Sequence, residues 1–290
     1  MQSSPQPTIS LVVPIYNEGS IIEDNVTRMR HSLDKLELDY EVVLCDDHSS
    51  DGTEKQASKV SCDTVSYLRF SERLGKGGTF KNAMKVCRGN AVILLDADAP
   101  VSHHEFARAV TLFESGYKLI VGVRRSRPFL PVRRRILSLG FNKTINLLFK
   151  TGIMDHQCGF KIVEKSAAKT LFSAIRSDHF LFDSELIVNA RILKLPIGFL
   201  ELDWLENREN GDSKISSPRT VLTMLIELLL LRLSLFGNKR LLRLAQMDAG
   251  SFQVSRTGSI LPAETTTTLT NHPRLLGMLR RLYLCVAFRT

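Results

Sequence analysis

The sequence predicts an α/β protein with a mainly parallel central sheet flanked by helices. Short β-branched apolar runs alternate with longer helical patterns, the signature of strand–helix–strand units. Several of these runs end abruptly in acidic or glycine-bearing loops, as strands do when ligands bind at their carboxyl ends. The chain has 290 residues, 43% of them hydrophobic, which is enough for one large core with a C-terminal appendage.

The elements follow in order. "ISLVVPIYNE" reads as a buried strand closed by Pro14, followed by a helix from about Ser20 to Leu36. "YEVVLCDDHSSDGT" repeats the design, with a strand over Tyr40 to Cys45, an acidic loop and a helix opened by capping residue types. "TVSYLRF" is a third strand leading into the glycine-containing "RLGKGGTFKNAMKVCRGN", and "AVILL" is a fourth. "YKLIVGVRRSRP" gives a strand running into a basic loop, and "RRRILSLGFNKTINLLFK" a helix. "CGFKIVEKSAAKTLF" and "FLFDSELIVNARILK" add mixed elements, and "PIGFLELDWLENRENGDSK" a strand with a polar loop. Past about Ala245 periodicity fades, and "ILPAETTTTLTNHP" reads as a linker. The expected division is a main domain over 1–215, a helical membrane-proximal segment over 216–245 and a linker with a basic amphipathic tail over 246–290.

Composition narrows the function classes. A net charge of +9 points to phosphate-rich partners, whether nucleic acid, anionic lipid or phosphorylated small molecules. The five cysteines form no C-x-x-C pair and are odd in number, so neither a zinc site nor a disulfide framework is indicated. That usage reads as a reducing, cytoplasmic compartment. "MQSSPQPT" lacks the pattern of a signal peptide. Val221 to Phe236 is the longest apolar stretch, but Glu227 and Arg232 interrupt it, and it suits either a core or a membrane surface. In the tail, Arg274, Arg280 and Arg281 gather on one helical side, away from Leu275, Leu279, Leu282 and Phe288.

Two acidic pairs follow two apolar strands: Asp46 and Asp47 after the second, Asp96 and Asp98 after the fourth. In a parallel sheet both loops leave the same edge, so four carboxylates surround one crevice. Asp96 and Asp98 are spaced to turn toward a hard cation that keeps positions open for a phosphate. The plainer reading is an Asx turn or a cap on the next helix. "RRSRPFLPVRRR" adds six arginines in twelve residues, whose planar forks suit phosphate oxygens; a solvated basic surface is the alternative. His48, His103, His104, His156 and His179 are scattered without an H-x-x-x-H pair and read as polar loop residues.

The order "VVPIYNE", "CDDHSSDGT", "RLGKGG", "LLDADAP", "CGFKIVEKSAAKTLF", "FDSEL", "ENRENGDSK" resembles that of family 2 glycosyltransferases with the Rossmann-like GT-A fold. Within them it is most similar to dolichyl-phosphate mannose and glucose synthases, from about Ile9 to Leu235. The resemblance implies that Pro14, Tyr16 and Glu18 cradle the base and ribose of a nucleotide, that Asp46 and Asp47 read them, and that Lys76 and Gly77 lie beside it. It implies that Asp96 and Asp98 hold Mg²⁺ or Mn²⁺ against the donor's diphosphate. Pro100 stands where mannose-transferring members often carry a further metal-binding glutamine, which leaves the donor open between GDP-mannose and UDP-glucose. Arg124 and one of Arg133 to Arg135, taken as Arg134, correspond to a clamp on the acceptor phosphate. Asp155 corresponds to a residue near the donor sugar, and Arg208, Ser213 and Lys214 to a loop over the diphosphate. Asp98, Arg124, Arg134, Asp183 and Glu185 are the implied catalytic set.

The activity this resemblance implies is inverting transfer of mannose or glucose from a nucleotide diphosphate sugar to dolichyl or polyprenyl phosphate. It implies peripheral contact with the cytoplasmic face of a membrane. Such an acceptor is already an oxyanion at neutral pH and needs positive charge rather than a base. For it, Asp183 and Glu185 bind sugar hydroxyls or orient the arginines; for a sugar hydroxyl acceptor, Asp183 becomes the base. A nucleic-acid binder is the third class, and it is disfavoured because Phe129 is the one aromatic among the clustered arginines.

Overall fold

The computed structural model describes residues 8–99, 101–125, 132–203 and 218–236. Among the described residues there are seven strands, β1 (Ile9–Ile15), β2 (Tyr40–Asp46), β3 (Val65–Arg69), β4 (Ala91–Leu95), β5 (Leu119–Arg124), β6 (Phe160–Glu164) and β7 (Ile197–Leu202), and eight helices, one after each strand except for two in succession after β6. The helices are α1 (Ile22–Asp34), α2 (Thr53–Val60), α3 (Gly75–Ala83), α4 (His103–Glu114), α5 (Val132–Phe149), α6 (Lys165–Ala174), α7 (Phe182–Ile192) and α8 (Pro218–Phe236). The strands form one sheet in the order β3-β2-β1-β4-β6-β5-β7.

β1 pairs in parallel with β2 and β4, β2 with β3, and β5 with β7. Among the described strands β6 alone is reversed, antiparallel to both β4 and β5. The sheet is therefore mainly parallel, as expected, with one strand inserted against the grain. That reversal was not legible in "CGFKIV", because a fully buried strand is apolar on both faces whichever way it runs.

Alternate residues feed two apolar layers. Leu11, Val13, Ile15, Ile93 and Leu95 pack with Ile22, Val26, Met29, Leu33 and Phe106 on one face. Val12, Val43, Val92 and Leu94 pack with Phe80, Leu171, Phe182 and Leu186 on the other. This period-two division explains why the strand runs look uniformly hydrophobic. α4 is closed at its start by a capping box, in which Ser102 and Glu105 exchange side-chain and backbone contacts.

α5, α7 and α8 build a third cluster from Phe141, Ile145, Phe149, Leu181, Val188, Met224, Leu228 and Leu231. The Val221 to Phe236 stretch, open between core and interface in the sequence, thus buries Met224, Ile226, Leu228 and Leu231, while Leu222 and Leu229 stay exposed. No described helix is long and apolar enough to cross a membrane. The tail beyond residue 236 lies outside the described residues.

Phe106 is fully buried against Phe160, with ring centroids 6.0 Å apart. Phe106→Ala is expected to cost about 3–5 kcal/mol, read as a lowered urea midpoint with an unchanged slope.

Candidate active site

The parallel register of β1, β2 and β4 brings the loops after Ile15, Asp46 and Leu95 to one edge of the sheet. Reversal of β6 adds a segment that a purely parallel sheet would place elsewhere. Phe160 stands opposite Leu95, so residues 155–159 reach the same edge from the other direction. The backbone N–H of Asp96 donates to Gly159 O at 2.9 Å, joining the two segments. A Cβ on Gly159 would fall 2.2 Å from Asp96 Oδ2, so glycine is what lets the carboxylate lie there.

The first wall is two loops laced together. Asn17 N–H donates to Ser49 Oγ, Ser50 N–H to Asn17 Oδ1, and Glu18 N–H to Thr53 Oγ1, each at 2.9 Å. Asn17 holds a positive φ of 54°, a backbone state that asparagine tolerates better than most residues. Tyr16 carries the Arg73 guanidinium over its ring, 3.8 Å from the centroid. Pro14, in register with Cys45, is the half-buried position of β1, between the buried Val13 and Ile15.

The acidic pair at the end of β2, with Asp46 as its last residue and Asp47 just beyond, works on the protein itself. Asp46 is fully buried and accepts from Ser49 N–H at 2.8 Å and from the Tyr67 hydroxyl. Asp47 accepts from the backbone N–H groups of Leu74 and Gly75 at the start of α3. Burial raises the Asp47 pKa, against the lowering pull of those amides and Arg73. Gly77 and Gly78 donate their N–H groups to Asp178 O. All four of these amides near the start of α3 are thus bonded within the protein, and a Cβ on Gly77 would meet Ser177 O at 2.7 Å and Phe182. Gly77 permits close packing, and it is the Lys76 side chain that extends from this turn toward the cleft.

At the centre four charges share a site. Lys76 Nζ lies 2.7 Å from Asp96 Oδ1 and 2.8 Å from Asp183 Oδ2, while Lys161 Nζ lies 2.7 Å from Asp183 Oδ1 and donates to Cys158 O. Burial alone would disfavour charge on Lys76, but Asp183 and Asp96 outweigh it and raise its pKa. Burial would likewise raise the Asp183 pKa, yet Lys161 and Lys76 hold it below the usual carboxylate range. Glu185, also expected in the catalytic set, accepts from Arg176 N–H and Ser177 N–H at 3.0 and 2.9 Å, and burial raises its pKa against those bonds. It organises the turn before α7 from inside the core.

Arg124, at the end of β5, meets Asp155 through Nε at 2.8 Å and Nη2 at 2.9 Å, a bidentate pair. Burial opposes the guanidinium charge, and the Asp155 bonds outweigh it, raising the pKa further. The next residue, His156, departs from the expectation of a polar loop histidine. It is fully buried, with Nδ1 2.7 Å from Asn142 Oδ1 and Nε2 2.7 Å from Thr151 Oγ1. It ties the Asp155 segment to α5. Gln157 Nε2 donates to Ser184 Oγ at 2.7 Å, anchoring the same segment to α7.

The D-x-D turn is not the cap of α4, since Ser102 fills that role. Ala99 N–H donates to Asp96 O, and Asn25 Nδ2 donates to Ala97 O at 2.9 Å, so α1 pins the turn. Among the described residues no three His, Cys, Asp or Glu side chains converge as a metal cage. Asp96 and Asp98 offer hard oxygen donors with Lys76 already on one oxygen of Asp96. That set fits a divalent cation completed by a ligand's phosphates and does not fit a site closed by protein alone. Pro100, Arg208, Ser213 and Lys214 lie outside the described residues, as does the side chain of Arg134. Lys161, Tyr67, Arg73 and Gln157 were missed in the sequence. A lysine within the buried run "FKIV" was the one available signal.

Residues 10–172 match the family model for glycosyl transferase family 2. The chain belongs to this family. The dolichyl-phosphate β-glucosyltransferase of Dictyostelium discoideum is 29% identical over 220 residues, covering 68% of this chain and 66% of that protein. The human protein of the same name is 28% identical over 223 residues, covering 70% and 69%. The glycosyltransferase AglD of Haloferax volcanii is 28% identical over 74% of this chain, which spans 35% of AglD. This family 2 chain thus spans about two thirds of the first two relatives and about a third of AglD. Among solved structures, glucosyl-3-phosphoglycerate synthase from Mycobacterium tuberculosis, in complex with Mn²⁺, UDP and phosphoglyceric acid, superimposes with a TM-score of 0.60. It is 19% identical and covers 77% of this chain and 78% of its own. Mannosyl-3-phosphoglycerate synthase from Rubrobacter xylanophilus gives 0.58 at 15% identity, covering 80% and 75%. The fold is GT-A.

Burial and the Lys161 charge, against a smaller opposing pull from Asp155, lower the His156 pKa from 6.5 to about 4. The unfolded chain therefore takes up a proton first as pH falls. The stability contributed by neutral His156 is complete above pH 6.5 and is lost toward pH 4, by about 3 kcal/mol at most. Urea midpoints measured from pH 7 to 4.5 should fall in the native protein, and His156→Gln should flatten that slope; an equal slope in both would refute the assignment.

Proposed function

We propose that this family 2 glycosyltransferase moves a hexose, by preference glucose, from a nucleotide diphosphate sugar to dolichyl or polyprenyl phosphate with inversion at the anomeric carbon. The observation that carries this reading is the state of Asp183. A carboxylate bonded to two ammonium groups, with its pKa lowered, is a poor base for a sugar hydroxyl. Glu185 is engaged by two backbone amides. An acceptor that arrives ionised needs no such base, and a phosphate monoester, with its second pKa near about 6, is that kind of acceptor. The names of the dolichyl-phosphate β-glucosyltransferases point to the same acceptor and favour glucose over mannose.

In this reading an acceptor phosphate oxygen attacks the anomeric carbon on the face opposite the diphosphate. The carbon–oxygen bond to the diphosphate breaks, and the nucleotide diphosphate leaves with the electron pair. No proton has to move. Asp96 and Asp98 would hold Mg²⁺ or Mn²⁺ against the donor, and the ion would then supply neutralisation of the leaving charge. Lys76 adds a fixed positive charge beside them. Arg124, oriented by Asp155, faces the acceptor side, with Arg134 as its expected companion. Pro14, Tyr16 and Glu18 shape the nucleotide wall that Asp46 and Asp47 brace. Arg208, Ser213 and Lys214 remain assigned to the loop over the diphosphate.

A lipid acceptor requires contact with a bilayer. α5 begins a few residues beyond Arg124 and exposes Ile136, Leu139 and Leu147 at 63%, 55% and 79%. Lys143 lies exposed on the same helical face, with Lys150 just beyond the helix. Spacing of three and four residues puts these groups on one stripe, apolar and basic, suited to a membrane surface with anionic headgroups. We assign that contact as peripheral, on the cytoplasmic face, and assign no role in binding nucleic acid.

Purified full-length protein with Mn²⁺ should transfer labelled glucose from UDP-glucose to polyprenyl phosphate, recovered in organic solvent, and none to the dephosphorylated polyprenol. Label on the free alcohol, or on a soluble sugar in preference, would overturn the phosphate-acceptor reading. Arg124→Ala is expected to lower turnover by at least about 100-fold, and Arg124→Lys to recover only part of it, because lysine cannot keep the bidentate pair.

A further inference from the structure

Lys161 is a charged residue in the middle of the sheet. It sits on β6, between β4 and β5, with 1% of its surface exposed. A lysine there is costly unless its ammonium is paired and hydrogen-bonded. Its partners are Asp183 Oδ1 and Cys158 O, both at 2.7 Å. Asp183 uses its other oxygen on Lys76, which continues to Asp96. The chain of contacts Lys161, Asp183, Lys76, Asp96 joins the centre of the sheet to the D-x-D turn. It holds two positive and two negative charges.

We infer that Lys161 is a positioning residue which, through Asp183, sets how much of the Lys76 charge falls on Asp96, and so tunes the affinity of the D-x-D turn for a divalent cation bound with a nucleotide diphosphate. With Lys161 present, Asp183 is shared, and Lys76 lies equally close to both carboxylates. Without it, Asp183 draws on Lys76 alone, and Asp96 keeps more of its negative charge. Without Asp183, both lysines lose their shared counter-charge, and the Lys76 charge falls on Asp96. The two deletions therefore act on the cation with opposite signs. A role confined to packing cannot produce opposite signs, since both variants would simply loosen the site. Burial matters because charges in a low-dielectric interior act on one another far more strongly than exposed ones.

This inference rests on the proposed reading of the cleft as a metal–diphosphate site. The test is Mn²⁺ binding to the full chain in the presence of UDP, followed by the free-ion electron paramagnetic resonance signal, with melting temperature recorded alongside. Lys161→Met should bind Mn²⁺ about three- to tenfold more tightly than the native protein, and Asp183→Asn more weakly by a similar factor. Lys161→Arg keeps the charge and should restore native affinity. Lys59→Met, which removes an exposed lysine paired with Glu23, should change nothing. Shifts of the same sign in Lys161→Met and Asp183→Asn, or no shift in either, would overturn the inference while leaving the metal site standing. If Lys161→Met does not fold, Asp183→Asn and Lys161→Arg decide: native or tighter binding by the former, or an affinity in the latter that departs from native, refutes the positioning role. Failure of the native chain to bind Mn²⁺ with UDP would instead remove the reading on which the inference stands.

Discussion

The structure turns on the placement of two lysines and two aspartates at the edge of a buried sheet. Removing ionised groups from water is expensive, and the cost is met only when each charge has a close partner of opposite sign. Lys76 reaches in from the start of α3, Asp96 from the end of β4, Lys161 from within β6 and Asp183 from the first turn of α7. α3 and β4 follow one another in the chain, but β6 and α7 come from its more distant second half. A site of this kind exists only after the sheet and both helical layers have assembled, and small residues at its margins record how tightly they meet. Gly77 lets α3 close on the residues just before and within α7, and Gly159 lets the Asp96 carboxylate rest against the backbone that leads into β6.

Acidic residues near the cleft divide by what they serve. Asp46, Asp47, Asp155 and Glu185 hold loops, a helix start, a guanidinium and a turn. Their bonds fix positions that hydrogen bonding to water could not fix, because each replaces a mobile solvent partner with a fixed one. Asp96 and Asp98 stand on the D-x-D turn, which α1 and the segment before β6 pin from two sides. Rigidity behind and donors in front is the arrangement expected of a site that must hold a diphosphate in one geometry. Arg124 and Asp155 repeat the pattern at the end of β5, and His156 and Gln157 anchor them to α5 and α7.

The third core of α5, α7 and α8 links this machinery to the surface. α5 puts Phe141, Ile145 and Phe149 into that cluster while turning Ile136, Leu139 and Leu147 outward. One helix thus has a packed face and an apolar outer stripe, and it follows the strand that carries Arg124. On the proposed reading a membrane-embedded acceptor would present its phosphate near such a stripe, and the clamp and the lipid contact would both follow from one helix position.

The sequence by itself determined most of the strand runs and the strand ends that carry Asp46, Asp47, Asp96 and Asp98, while α4 and the elements from β6 to α7 were not resolved by it. Those runs and ends are local properties: apolar periodicity, capping residues and turn chemistry are written within a few residues of where they act. It also determined the family resemblance, through motifs that are contiguous. Only the tertiary structure decided which way β6 runs, that Asp183 is held by two ammonium groups, that Asp47 serves the start of α3 and that His156 is buried. Lys76 and Asp183 are 107 positions apart, and Lys161 and Asp183 are 22 apart on different elements. Whether a carboxylate is a base, a metal ligand or a counter-ion depends on what lies within about 3 Å of it, and that distance is set by packing among distant segments.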